Sequence, residues 1–156
     1  MNQVISKRYL TDQVLKLEVM APQIAEKKQL GQYVQIKLTA DAKRLTLQIS
    51  QSNTEKGSIT VLLNKQNAEH LPFFNLSPDD ELFDVLGPFG QPIYTPHSGT
   101  VLCLAEADCT TAIYPLINAL QASGNRVLTA LVVAPADTLI LQREIQALSD
   151  EVFFID

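Results

Sequence analysis

At 156 residues with 46% hydrophobic side chains, the chain has room for one domain or two small ones with an ordinary core. No apolar stretch approaches the roughly 18 residues of a membrane span. The start, MNQVISKRYL, is polar and lacks a signal-peptide core, so a cytoplasmic protein is expected. A net charge of −5 excludes nucleic acid as an expected partner.

The chain opens on strands. VISKRYL, VLKLEVM, YVQIKLT, RLTLQIS and SITVLL alternate or run apolar, with turn residues at Thr11-Asp12, Gly31, Asp41 and Lys56-Gly57 between them. NAEHLPFF offers one helical turn before Pro72, and a sixth strand, ELFDVLG, follows Ser77-Pro78-Asp79-Asp80. Six short strands at this spacing predict a small antiparallel β-barrel over 1–97. Past GPFGQPIYTPHSG the period changes. TVLCL reads as a buried-type strand, and Ile113, Leu116, Ile117 and Leu120 then follow helical spacing up to Gly124-Asn125. RVLTALVVA is a second strand, Leu141, Ile145 and Leu148 mark a second helix, and EVFFID is a third strand. The fold class expected is β + α/β: a six-stranded antiparallel barrel, then a truncated three-stranded Rossmann-like βαβαβ unit over 98–156.

Charge divides along the chain. Residues 1–65 hold ten of the twelve Lys and Arg against five acids, a balance of +5; residues 66–156 hold Arg126 and Arg143 against twelve acids, a balance of −10. Two subdomains with different tasks give such an asymmetry, as does an uneven solvated surface.

The strand-to-helix turn LAEADCTTAIYPL stands where many enzymes cradle a nucleotide phosphate with glycines, and it has none. A Cβ obstructs both positive φ and close approach of a pyrophosphate to the backbone. Asp108 is placed to cap the helix and occupy its positive end, and Glu106 adds like charge. Cys109, at the helix start, lacks a basic neighbour in sequence and reads as a small packing cysteine. Cys103 and Cys109 make neither a disulfide framework nor a zinc or iron–sulfur spacing. His70 and His97 read as surface histidines.

A barrel followed by half of a nucleotide-binding sheet, with APQIAEKKQLGQYVQIKL, DDELFDVLGPFGQPI and AIYPLINALQASGNRV in that order, resembles the ferredoxin-NADP reductase superfamily over the whole chain. The resemblance is to the branch of the electron-transfer subunit of dihydroorotate dehydrogenase and related sulfide dehydrogenase subunits. It implies FAD on the barrel, NAD(P)H on the α/β domain and electrons passed to a partner. The family's flavin motif, an arginine followed by Tyr or Pro and then Ser or Thr, maps onto RLTLQIS. Arg44 matches the arginine; Leu45 and Thr46 follow it, and the hydroxyl position falls on Leu47 or Gln48. The family's Gly-x-[ST]-Thr turn maps onto KQNAEHL, so Lys65, Asn67 and Ala68 stand at the glycine, the small polar residue and the threonine. The family's glycine-rich turn maps onto Ala105, Glu106, Ala107 and Cys109. The resemblance therefore implies a lost phosphate site there, and tight NAD(P)H binding is not expected.

Two function classes follow. One is a flavin-dependent NAD(P)H oxidoreductase or electron-transfer module with impaired nucleotide binding. The other is a non-catalytic binding or assembly subunit that keeps the reductase fold. In the family's strand order 3-2-1, TVLCL is an edge strand. Val101–Leu104 carries no charge, proline or bulge signal, so a homo-oligomer or a partner subunit is expected to cover that edge.

Overall fold

The computed structural model describes residues 2–135, 137 and 139–156. Two compact units emerge, Met1–Ile93 and Tyr94–Asp156.

The first unit is a nearly closed antiparallel barrel of seven strands. These are β1 (Asn2–Tyr9), β2 (Val14–Met20), β3 (Tyr33–Lys37), β4 (Leu45–Asn53), β5 (Ser58–Asn64), β6 (Glu81–Leu82) and β7 (Asp84–Phe89), in the order β6-β1-β2-β5-β4-β3-β7. The alternation read from the sequence places Leu15, Leu17 and Val19 of β2 inside, fully buried, and leaves Lys16, Glu18 and Met20 partly exposed. Val34, Ile36, Leu47, Ile49, Ile59, Val61 and Leu63 complete the same core.

The sixth predicted strand is two strands. Glu81–Leu82 pairs with Asn2–Gln3 on β1, whereas Asp84–Phe89 pairs with β3 at the other border of the sheet. Phe83 lies between them, its N–H donating to the Leu38 carbonyl at 3.2 Å. This one segment joins both borders of the sheet. A short helix not read from the sequence, α1 (Pro22–Lys27), follows β2 with Pro22 in its first turn and Ile24 and Ala25 buried. The helical turn expected before Pro72 is a 3₁₀ helix that runs through it, Ala68–Asn75.

The second unit is a parallel sheet of β8 (Thr100–Glu106), β9 (Arg126–Val132) and β10 (Glu151–Ile155), in the order β10-β9-β8, with α2 (Thr110–Ala122) and α3 (Gln142–Leu148) as its crossovers. Thus β8 is the edge strand, as the expected order required. Helix α2 buries Pro115, Ile117 and Leu120. It stops in a left-handed turn: the N–H of Gly124 (φ +77°) donates to the Gln121 carbonyl, and that of Asn125 to Leu120. Glycine takes that conformation without strain, and the two bonds satisfy otherwise orphaned carbonyls. Among the described residues, no helix is long and apolar enough to cross a membrane.

Candidate functional site

Arg44 immediately precedes β4 and lines a largely apolar cavity of about 200 Å³. Leu38, Leu45, Pro72 and Phe73 supply its apolar lining, and Lys43, Arg44 and Glu69 also border it. The structure therefore brings the arginine and the 3₁₀ helix, which begins 24 positions on in sequence, to one place. Each cation here already holds a carboxylate. Arg44 Nη2 donates to Asp84 Oδ2 at 2.7 Å, and Lys43 Nζ meets Glu69 Oε1 at 2.5 Å. The other Arg44 nitrogen, Nη1, is buried and has no hydrogen-bond partner. A buried donor left unmade costs about 1–3 kcal/mol.

Along β4 the strand pleat sorts the other motif positions. Leu45 is half-buried, Thr46 is exposed, Leu47 is buried in the barrel core, and Gln48 is half-buried on the outer face. Leu47 pairs with Val34 and Gln48 with Tyr33, whose ring leans on Phe89 at 5.9 Å between centroids. A side chain at position 47 faces the core and offers nothing to a ligand outside the barrel.

The second element is self-contained. Asn67 caps the 3₁₀ helix by accepting the Glu69 N–H on Oδ1 at 3.0 Å, so its carbonyl oxygen is engaged with the helix opening. Ala68 is exposed and offers no hydroxyl. The Lys65 ammonium lies over the rings of Tyr9 and Phe74, at 5.4 and 5.6 Å from their centroids.

His70 has a defined structural role instead of standing free at the surface. Its Nδ1 accepts the Asn64 N–H at 2.9 Å, which requires that nitrogen to be unprotonated. Burial holds the imidazole below its ordinary value of 6.5, with the Glu69 charge pulling weakly the other way. The folded chain therefore favours neutral His70, and the unfolded chain takes the proton first. Stability is expected to fall as pH drops below about 6.5. Urea midpoints of wild type and His70→Gln between pH 7.5 and 5 check this: the variant should show the shallower slope.

At the glycine-free turn, a 3₁₀ turn, Ala107–Cys109, intervenes between β8 and α2. Ala107 is buried, and the Thr110 hydroxyl donates to its carbonyl at 3.2 Å. The expected Asp108 cap is not formed: no side chain caps either helix start. Asp108 instead accepts from the Cys109 thiol. That bond, then burial and the charges of Asp108 and Glu106, pushes the thiol above its ordinary value of 9.0. Cys109 is exposed and so does not pack as expected; Cys103 is the buried cysteine. Among the described residues, no group of three or more His, Cys, Asp or Glu is placed to hold a metal ion.

An antiparallel barrel followed by a parallel βαβαβ unit is the reductase-type fold. In fold, and in sequence along its whole length, the chain is similar to the ferredoxin-NADP reductase superfamily. No family model matches it. Over all 156 residues it is 24% identical to the dihydroorotate dehydrogenase B (NAD(+)) electron transfer subunit homolog of Thermotoga maritima, spanning 55% of that protein. Its fold matches the NADH-dependent reduced ferredoxin-NADP oxidoreductase with a TM-score of 0.81 and 24% identity, over 99% of this chain and 56% of that one. It also matches the FAD/NAD-binding domain of the nitric oxide dioxygenase of Vibrio cholerae with a TM-score of 0.72 and 14% identity, over 99% and 78%. The chain thus spans about half the length of the first of these relatives.

Proposed function

We propose that this chain is an electron-transfer module that holds a flavin on the barrel beside Arg44 and has no tight NAD(P)H site of its own. The observation that carries the reading is the buried, partnerless Arg44 Nη1 beside an apolar cavity. A guanidinium with one nitrogen on Asp84 and the other unanswered can donate to one phosphate oxygen without giving up its carboxylate. Arg44 would hold the flavin's pyrophosphate, and the outer face of β4 from Thr46 to Gln48 would face its ring. Bound flavin would supply the electron-carrying chemistry; the chain's residues bind and orient it. The electron transfer subunit homolog matched along the whole chain supports the same class.

The second half of the proposal rests on the turn after β8. Ala105, Glu106, Ala107 and Cys109 carry Cβ atoms where a phosphate cradle needs bare backbone, and the exposed carboxylates of Glu106 and Asp108 repel an anion. Electrons would then come from a partner protein. The reading is tested by a visible absorption spectrum of the purified chain and by calorimetric titration. Flavin absorbance, or saturable FAD binding, is expected; a colourless chain that FAD does not titrate overturns the first half. Low-micromolar affinity for NADH or NADPH overturns the second. The Asn67 cap and the Arg44–Asp84 pair, both closed within the chain, favour the non-catalytic assembly reading if flavin does not bind.

A further inference from the structure

The three-stranded sheet has one covered face and one open one. Cys103, Val127, Thr129 and Leu131 alternate along β8 and β9 and are buried on the side of the two crossover helices. On the other side the parallel register lines up rows of side chains: Leu102, Leu128 and Glu151; Leu104, Ala130 and Phe153; and Glu106, Val132 and Ile155, so the centre is apolar and each end carries one carboxylate. Leu102 and Leu104 are 62% and 63% exposed, and Phe153 and Ile155 are 45% and 44% exposed. Ala130 is buried there because the larger side chains of its row overhang it. A contiguous apolar face of this kind marks an interaction surface.

The charges around it select the occupant. The unit Tyr94–Asp156 holds two arginines and no lysine against seven acids, a balance of −5. Arg126, beside Thr100 just before the first row, is held by Glu151 of that row, while Arg143 sits on α3. At the opposite end, Glu106 stands in the last row on the open face, and Asp156 follows β10. Among the described residues, none of the salt bridges formed includes Glu106 or Asp156. A second copy of this unit would bring seven more acids and no lysine, so like charge opposes a homodimer through this face.

We propose that the open face of β8-β9-β10 docks an apolar segment of a different polypeptide, flanked by Lys or Arg that meet Glu106 and Asp156 at the C-terminal end of the strands. This inference is independent of the flavin reading. Its test is a photo-crosslinking amino acid in place of Leu104 in the full chain, expressed in its own host, with the same group at the exposed Tyr94 as control. Linked peptides are then sequenced by mass spectrometry. The expected product joins Leu104 to another protein through an apolar segment with adjacent basic residues. That segment, as a synthetic peptide, should bind the full chain at least 10-fold more weakly after Leu104→Lys or Leu102→Ser, and more weakly after Glu106→Gln. Both leucines are exposed, and circular dichroism confirms that the variants fold. Crosslinks to a second copy, to a neutral or acidic segment, or at no higher yield than from Tyr94 overturn the proposal, as does peptide binding unchanged by Leu104→Lys.

Discussion

Leu47→Ser is expected to lower the unfolding free energy by about 3–5 kcal/mol, whereas Gln48→Ser stays within about 1 kcal/mol of wild type. The resemblance leaves the flavin motif's hydroxyl at one of these two positions, and strand geometry gives them opposite environments. Leu47 is 4% exposed and packs in the barrel core with Val34 opposite, so truncation leaves a cavity and the new hydroxyl finds no water. Position 48 lies on the outer face, beside Tyr33 of β3. Urea unfolding of the two variants at neutral pH measures the difference. Equal, small losses would mean that β4 is out of register by one residue, which would turn every side chain of the strand over.

Arg44→Ala is expected to weaken FAD binding by at least about 10-fold, the effect of removing one charge-assisted hydrogen bond of about 1.5–3 kcal/mol. The same change strands Asp84 beside the cavity, so a control must separate lost attraction from new repulsion. Asp84→Asn provides it. With the carboxylate neutral, the guanidinium is released toward an incoming phosphate, and FAD affinity should rise. Arg44→Lys should fall between wild type and alanine, because an ammonium keeps the charge but not the two-pronged geometry. Fluorescence titration of FAD with the four proteins orders them; identical affinities would remove Arg44 from the site.

Much of the architecture is legible because alternation and helical spacing are local signals. Leu15, Leu17 and Val19 announce a half-buried strand without reference to any other part of the chain, and Ile117 and Leu120 with Gly124 announce a helix and its end. The missed features are those that depend on distant partners. ELFDVLG is one unbroken run, and only pairing with β1 on one side and β3 on the other splits it at Phe83. Helix α1 has six residues, under two turns, too few to show a period. At the site, Arg44 stands out as a residue type, but its partner Asp84 lies 40 positions away, and nothing in RLTLQIS foretells that the guanidinium is already half engaged. Asp108 shows the limit of local reasoning in the other direction: a carboxylate placed well for capping forms no cap at either helix start.

The division of Glu81–Phe89 between two borders also bears on the order in which the barrel forms and comes apart. The pairing of Glu81 and Leu82 with Gln3 and Asn2 joins positions 78 and 80 residues apart, further than any other contact between neighbouring strands of this unit. Closing so long a loop costs more entropy than forming the β1-β2 or β4-β5 hairpins, and two ladder pairs, with the backbone bonds of Val4 to Asp79 and Asp80, repay it. The β1–β6 seam is therefore expected to form after the hairpins and to open before them, leaving a curled sheet with its hairpins intact.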